Sequence, residues 1–226
     1  VFLHRLLRRP FVLWAAALLV IALLGSGFRW ADWAVDAMRE KATGERIVHK
    51  EHSLYQQLLL TRKKEVLRLY LNGHQQFQSN IEQAYHDFLV HPAMSLASER
   101  RNILILGGGD GLALREILKY PNLSRIVMVD IDPQMTAFAR NHALMRELNK
   151  GAMDDPRLEV RNEDAFLFLR QGQDLFDVVI VDLPSPTNIS LSKLYTVEFY
   201  RLLRARLAPK GVGAVQCANV HPNGRQ

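Results

Sequence analysis

The chain has 226 residues, 48% of them hydrophobic, and a formal net charge of +6. This composition excludes a disordered, highly charged protein and is typical of an ordered chain. The single cysteine, Cys217, excludes an internal disulfide and fits a reducing compartment. Two basic groups, residues 62–64 and 201–206, suit nucleic acid, but a solvated face near anionic lipid is the simpler interpretation. We therefore expect no nucleic-acid partner.

The N-terminus is predicted to form a transmembrane helix. No charged residue stands between Phe11 and Phe28, and a helix that crosses a bilayer needs about 20 apolar residues. Trp14, Trp30 and Trp33 occur where aromatic residues mark membrane interfaces. The alternatives are a signal peptide, which would have a shorter apolar core, and a buried soluble helix, which would show a polar face.

Four segments follow from the pattern: residues 1–30 as a span with its flanks, 31–50 as a helical link, 51–80 as a small β-domain and 81–226 as an α/β domain. Basic residues flank the span almost equally, so the positive-inside rule leaves its topology open. Because the chain opens so close to this span, we expect it to be a piece of a larger membrane protein.

In the β-domain, residues 54–60 and 66–71 alternate around Arg62-Lys63-Lys64, which predicts a hairpin. Further along, the apolar run 103–106 leads into Gly107-Gly108-Gly109-Asp110-Gly111 and then a helical pattern. A strand, a glycine turn and a helix start form a cradle for a nucleotide-like ligand. A carboxylate such as Asp110 does not suit a pyrophosphate at a helix start. It suits a ligand whose nearby end is positive.

Further strands are predicted at residues 125–129, 158–160, 176–182 and 212–216, with helices between them. This alternation predicts an open parallel sheet of the Rossmann-like type. Asp110, Asp130, Asp164 and Asp182 all fall at or just past the carboxyl ends of strands, where such sheets bind ligands. For each Asp alone, a cap or turn is the alternative; four at corresponding positions favour a site. Asp130, about 20 residues beyond the glycine turn, stands where such folds bind ribose hydroxyls.

Residues 51–216 resemble the spermidine synthase (polyamine aminopropyltransferase) family, and the apolar N-terminal helix resembles its membrane-attached bacterial branch. The matching stretches are Leu54-Tyr55-Gln56, Leu71-Asn72-Gly73, Glu82 to Asp87, Gly107 to Gly111 with Leu114-Arg115-Glu116, Asp130-Ile131-Asp132, Asp154 to Arg157 and Asp182-Leu183-Pro184-Ser185-Pro186. The glycine turn alone would be weak evidence, whereas this ordered set is specific. The resemblance implies the fold of the S-adenosylmethionine-dependent transferases. It also implies a homo-oligomer, a dimer or a tetramer.

The resemblance implies a reaction between decarboxylated S-adenosylmethionine, as a co-substrate, and a diamine such as putrescine. It implies no permanently bound cofactor and no metal. The donor-binding residues would be Gln56, His86, Gly107, Gly109, Asp110, Asp130, Asp164 and Ala165. The acceptor-binding residues would be Tyr85, His86, Asp110, Asp182 and Ser185. Asp182 would be the catalytic proton acceptor.

Two positions depart from the family pattern. Ser185 stands where members carry a second acid, and Asn72 stands where they carry an aspartate. The chain also stops soon after the fifth predicted strand, whereas family members continue. We therefore expect the α/β domain to be truncated at its C-terminus. The identity of its acceptor amine stays open.

Three functions stay open: aminopropyl transfer, methyl transfer from S-adenosylmethionine on the same fold, and a non-catalytic remnant that binds nucleosides. Asp110 disfavours methyl transfer, because the carboxylate of that donor would lie near another carboxylate. The predicted location is the inner membrane, in contact with lipid, with the catalytic domain in the cytoplasm.

Overall fold

The computed structural model describes residues 10–186 and 189–216. It divides into two compact units, one within residues 1–48 and 61–65, the other within residues 49–60 and 66–226. The predicted features at Val1 and Cys217 lie outside the described residues. The first element is a long helix, α1 (Pro10–Thr43).

The predicted membrane span is wrong. Across residues 10–186 and 189–216, no helix is both long and apolar enough to cross a membrane. The prediction rested on the apolar run, whereas α1 extends beyond it to Thr43. The predicted inner-membrane location depended on that span and is corrected with it.

Four strands of the N-terminal half form one sheet in the order β1-β2-β3-β4. They are β1 (Arg46–His52), β2 (Gln57–Lys63), β3 (Val66–Leu71) and β4 (His74–Gln78). Strands β3 and β4 pair antiparallel around Asn72 and Gly73, both of which have positive φ angles. Strands β2 and β3, which flank Lys64 and Glu65, are also hydrogen-bonded neighbours in this sheet, so the predicted hairpin is present. The alternation did not predict β1 and β4.

The rest of the chain alternates helices and strands. The helices are α2 (Glu82–Leu96), α3 (Leu112–Ile117), α4 (Pro133–Asn141), α5 (Ala143–Leu148), α6 (Ala165–Gln171), α7 (Ile189–Ser192) and α8 (Val197–Ala205). The strands are β5 (Asn102–Gly107), β6 (Arg125–Val129), β7 (Leu158–Arg161), β8 (Phe176–Asp182) and β9 (Leu207–Val215). All five strands run parallel in the order β7-β6-β5-β8-β9. The predicted α/β fold with an open parallel sheet is confirmed.

The sheet separates two apolar cores. Ile103 and Ile105 of β5 lie in one core, and Leu104 and Leu106 lie in the other. This follows from the two-residue period of a strand, in which successive side chains point to opposite faces. Because both faces are covered, the strands read as continuous apolar runs, as parallel strands do.

Helix caps and strand ends place the polar residues. Asp132 caps α4: its carboxylate accepts the backbone N–H of Gln134, and Pro133 occupies the first turn of the helix. Thr196 caps α8 in the same way, through the N–H of Phe199. The last strand begins at Leu207 rather than at residue 212, with a shift of register beside β8.

Candidate active site

The glycine turn after β5 packs directly against the end of β8. The backbone N–H of Gly108 donates to the carbonyl oxygen of Asp182 over 3.0 Å. A Cβ atom added to Gly107 would lie 2.1 Å from that same oxygen, and Gly107 has a φ of +80°. Only glycine fits this position. The close approach draws the turn that carries Asp110 towards the end of β8.

Asp130, at the end of β6, is held by two backbone groups. Its Oδ2 accepts the N–H of Gly109 over 3.0 Å, and its Oδ1 accepts the N–H of Asp132 over 2.9 Å. A Cβ on Gly109 would lie 2.4 Å from Asp130 Oδ2. Burial raises the pKa of Asp130 to about 6, although these backbone hydrogen bonds oppose the rise. The turn and the carboxylate thus form one fitted surface.

Gln56 is hydrogen-bonded to Asp132, at the start of α4. Its side-chain N–H donates to Asp132 Oδ2 over 2.8 Å, and Ser53 Oγ donates to the same oxygen. Asp132 is fully buried and neighbours Asp130 in sequence. Gln56 is therefore held beside the predicted ribose acid.

Tyr85 and His86 in α2 meet the end of β8. The Tyr85 hydroxyl donates to Asp182 Oδ1 over 2.6 Å, and His86 Nε2 lies 4.0 Å from Asp182 Oδ2. The two rings contact each other edge to face. Both carboxylate oxygens of Asp182 thus have a neighbour from the same helix.

Asp110 completes this cluster through its charge. Its Oδ1 accepts the N–H of Leu112 at the start of α3. Burial raises the pKa of Asp110 to about 6; the His86 ring opposes the rise and the Asp182 carboxylate adds to it. Two acids and a histidine therefore lie within electrostatic reach of one another, which suits a ligand that brings a positive charge.

The Asp110 and Asp182 carboxylates also shift the pKa values of Tyr85 and His86. Burial raises the pKa of the Tyr85 hydroxyl, and the charge and hydrogen bond of Asp182 add to the rise. Burial lowers the pKa of His86, but its hydrogen bond to Glu82 and the charges of Asp110 and Asp182 outweigh that and raise it. Tyr85 therefore keeps its proton, and the net direction of the pKa shift of His86 is upward.

Asp164 and Ala165 lie at the start of α6, beyond β7. Asp164 caps the helix by accepting the N–H groups of Phe166 and Leu167, and its other oxygen pairs with Lys193. Burial raises the pKa of Asp164, but the hydrogen bond from Lys193 outweighs it and the net direction is down. Among the described contacts, none joins Asp164 to Asp110 or Asp182.

Ser185 lies three residues past Asp182 and is exposed. The start of this loop is held by Tyr195, whose hydroxyl donates to the carbonyl oxygens of Leu183 and Pro184. The loop thus stays close to the end of β8, with the Ser185 side chain open to solvent.

Sequence reasoning missed the buried charges behind the cluster. Glu82 and Arg115 form a two-pronged ion pair, with N–O distances of 2.8 and 3.0 Å, and Glu82 also contacts His86. The four-residue spacing of Glu82 and His86 on a predicted helix could have indicated their contact. Their partner Arg115, 33 residues away, gave no such signal.

A second cluster joins Asp87, His91 and Glu116, whose ligand atoms lie close enough to share a metal ion. Glu116, however, is fully buried and already paired with Arg115 and Lys119. Because these two cations would repel a metal ion, the arrangement fits an ion-pair network better.

Comparison with known proteins places the chain in a family. Residues 82–224 match the family described as "Spermine/spermidine synthase domain". The chain is 44% identical over 206 residues to polyamine aminopropyltransferase 2 of Ralstonia nicotianae, covering 91% of this chain and 40% of that protein. It is 45% identical over 207 residues to polyamine aminopropyltransferase 1 of Streptomyces coelicolor, covering 89% and 39%. The chain thus spans about two fifths of the length of these curated relatives.

Solved structures of spermidine synthases are similar to this chain. A spermidine synthase in complex with the transition state analogue AdoDATO has a TM-score of 0.67 and 29% identity, over 72% of this chain and 55% of that one. The spermidine synthase from Thermotoga maritima has a TM-score of 0.65 and 29% identity, over 72% and 54%. From its matching domain and its curated relatives, the chain belongs to the spermine/spermidine synthase family.

Proposed function

We propose that the protein transfers an aminopropyl group from decarboxylated S-adenosylmethionine to a diamine such as putrescine, forming spermidine and releasing methylthioadenosine. The observation that carries the proposal is the cluster of Asp110, Asp182, Tyr85 and His86 beside the glycine turn. Two carboxylates at the carboxyl edge of a parallel sheet suit substrates that carry ammonium groups. The names of the relatives and of the solved spermidine synthases support the same reaction.

The donor would lie along the turn between β5 and β6. Gly107 and Gly109 let the backbone approach it, and Asp130 would accept hydrogen bonds from its ribose hydroxyls. Asp110 would bind the ammonium of the aminopropyl arm, with His86 nearby. A sheet of the S-adenosylmethionine-dependent transferase type is consistent with this placement.

The remaining donor contacts would come from Gln56, Asp164 and Ala165. Gln56 would contact the ribose side of the donor through its position next to Asp132. Asp164 and Ala165 would face the adenine. The pairing of Asp164 with Lys193 would then have to open, because the adenine amino group needs the same carboxylate oxygen.

The chemical step is a displacement at carbon. The free amine of the acceptor attacks the methylene carbon bound to the sulfonium; a C–N bond forms, the C–S bond breaks, and its electron pair leaves on the neutral thioether. A protonated amine has no lone pair, so a proton must leave it, and Asp182 would accept that proton. The rest of the catalysis is the positioning of two reactants.

The acceptor would lie between Tyr85 and Asp182. Tyr85 would line the slot, and Asp110 and Asp182 would attract the ammonium ends of a diamine. Ser185 would be the residue nearest the outer end of that slot. The overall charge of +6 repels a polyamine, so these local acids must supply the attraction. The reaction needs no metal and no permanently bound cofactor.

Calorimetric titration of the protein with decarboxylated and ordinary S-adenosylmethionine tests the donor. The extra carboxylate of the ordinary donor would lie near Asp110, whereas the ammonium gains a charge-assisted contact of about 1.5–3 kcal/mol. We therefore expect at least about tenfold tighter binding of the decarboxylated donor, and a smaller preference in Asp110→Asn. Equal affinities would favour methyl transfer, and no binding of either donor would favour a non-catalytic protein.

The assembly is a separate proposal, taken from the family resemblance alone: a homo-oligomer, either a dimer or a tetramer. Light scattering after size-exclusion chromatography measures the mass directly. A monomer at micromolar concentration would contradict this proposal without affecting the proposed reaction.

A further inference from the structure

Glu82 lies behind His86 in the first turn of α2 and touches only one of its ring nitrogens. Glu82 Oε2 lies 2.7 Å from His86 Nδ1, and the Glu82 carbonyl oxygen lies 2.8 Å from the same nitrogen. Both side chains are buried, with exposed fractions of 5% and 2%. An ionised carboxylate and a carbonyl oxygen can only accept hydrogen bonds. The Nδ1 atom must therefore carry hydrogen.

The carboxylate of Glu82 is kept ionised by Arg115. The guanidinium donates to Glu82 Oε1 over 2.8 Å and to Oε2 over 3.0 Å. Burial raises the pKa of Glu82, but the hydrogen bonds from His86 and Arg115 outweigh that and the net direction is down. A paired arginine fork also fixes the plane of the carboxylate. The acceptor that faces His86 is therefore fixed in both charge and direction.

The other ring nitrogen faces the candidate reaction centre. His86 Nε2 lies 4.0 Å from Asp182 Oδ2. The charged and titratable groups around His86 are Glu82 and Tyr85 from α2, Asp110 from the glycine turn and Asp182 from β8. Since Nδ1 is committed to Glu82, only Nε2 changes its proton when His86 titrates.

We propose that Glu82 is a positioning residue that acts through His86: it holds the hydrogen on Nδ1 and turns Nε2 towards the Asp110 and Asp182 carboxylates. The inference rests on the proposed function, in which those carboxylates bind the substrate ammonium and accept its proton. When a histidine held this way is protonated, the charge on its ring lies beside both acids, where it would compete with the ammonium of a substrate.

Replacing Glu82 by Gln tests the device, because an amide presents either an acceptor oxygen or a donor N–H to the ring. The hydrogen of neutral His86 would then be free to move from Nδ1 to Nε2. A matched control is Glu116→Gln. Glu116 is also a fully buried carboxylate and also pairs with Arg115, through Nε at 2.8 Å. None of the contacts described for Glu116 involves His86.

The readout is two-bond ¹H–¹⁵N NMR of the full chain labelled at histidine, titrated with pH, with His86 assigned from the His86→Gln spectrum. In the parent protein we expect His86 to have a higher pKa than free histidine. At pH values above that pKa, we expect the neutral ring to be the Nδ1–H tautomer. In Glu82→Gln, neutral His86 should be the Nε2–H tautomer or a mixture of both tautomers. The pKa of His86 should fall by about one unit or more. Glu116→Gln should leave both properties unchanged.

Three results would overturn the proposal: an Nε2–H tautomer in the parent protein, an unchanged His86 in Glu82→Gln, or an equal shift in Glu116→Gln. If Glu82→Gln does not fold, the spectrum of the parent protein still identifies the tautomer of His86. Glu82→Asp, which keeps the charge, then takes the place of Glu82→Gln in the comparison with Glu116→Gln. No substrate enters this experiment. Its failure is therefore distinct from a failure to detect aminopropyl transfer.

Discussion

The hydroxyl of Tyr85 donates a hydrogen bond to Asp182 Oδ1 over 2.6 Å, which joins the first turns of α2 to the carboxyl end of β8. The contact occupies one oxygen of the carboxylate and leaves Oδ2 facing His86 Nε2 at 4.0 Å. Because Tyr85 keeps its proton in this environment, its hydrogen bond fixes the direction of the Asp182 carboxylate. In the proposed reaction, this carboxylate would accept a proton from the incoming ammonium.

Asp182→Asn removes the proposed base and keeps the shape of the side chain. We expect turnover to fall by about a hundredfold or more, the usual size of a lost general base, with donor affinity preserved. Steady-state kinetics, with circular dichroism to verify folding, measure the change. Tyr85→Phe, which removes only the orienting hydrogen bond, should cause a smaller loss. Near-normal turnover in folded Asp182→Asn would rule out this role.

Asp110 should make the empty protein less stable at neutral and higher pH. Its pKa is raised from the ordinary 3.8 to about 6 in the folded state, so the folded protein binds the proton more tightly than the unfolded chain. The cost of the ionised form is absent below pH 3.8, grows as the pH rises and is complete above about pH 6.

Asp110→Asn should therefore stabilise the free protein at pH 8 by about 1 kcal/mol or more, since one unit of pKa shift corresponds to about 1.4 kcal/mol. The gain should shrink towards zero as the pH falls to 4. Thermal unfolding of both versions across this range checks the sign. A gain that grows on acidification would contradict the assignment of a raised pKa to Asp110.

Gly109→Ala should weaken binding of the nucleoside part of the donor. The new Cβ would lie 2.4 Å from Asp130 Oδ2 and 2.7 Å from its Cγ, so the carboxylate must move away from the proposed ribose position. We expect at least about tenfold weaker binding of methylthioadenosine, in line with one lost charged hydrogen bond. The control is Gly213→Ala, where the nearest atom lies at an ordinary 3.6 Å. Equal losses in both variants would point to general destabilisation.

Ser185→Asp should tighten putrescine. A serine hydroxyl brings no charge, and the difference between a charged and a neutral hydrogen bond is about 1–2 kcal/mol. Saturation curves with putrescine on both versions measure the effect. If the serine form already saturates as readily as the aspartate form, position 185 lies outside the acceptor site.

The sequence predicted the framework of the site because local patterns determine it. Continuous apolar runs predicted β5, β6 and β8. The acids that follow these strands lie at one edge of the sheet because the carboxyl ends of parallel strands meet there. The caps at Asp132 and Thr196 are local features of the same kind, since a cap depends on neighbours two or three residues away.

Pairings between distant segments could not be predicted in this way. Gln56 binds Asp132, and Asp164 pairs with Lys193, although neither partner stands near the other in sequence. The Glu82–Arg115 pair depends on how α2 packs on α3. The membrane span was predicted from an apolar run alone, and no helix among the described residues is long and apolar enough to cross a membrane.

The central claim is aminopropyl transfer, and the most direct measurement is product analysis by mass spectrometry. The protein is incubated with decarboxylated S-adenosylmethionine and putrescine, and in parallel with ordinary S-adenosylmethionine and putrescine; Asp182→Asn serves as the control. The account predicts equal amounts of spermidine and methylthioadenosine from the decarboxylated donor, strongly reduced in the control. Methylated amine and S-adenosylhomocysteine from the ordinary donor, or no product from either, would contradict it.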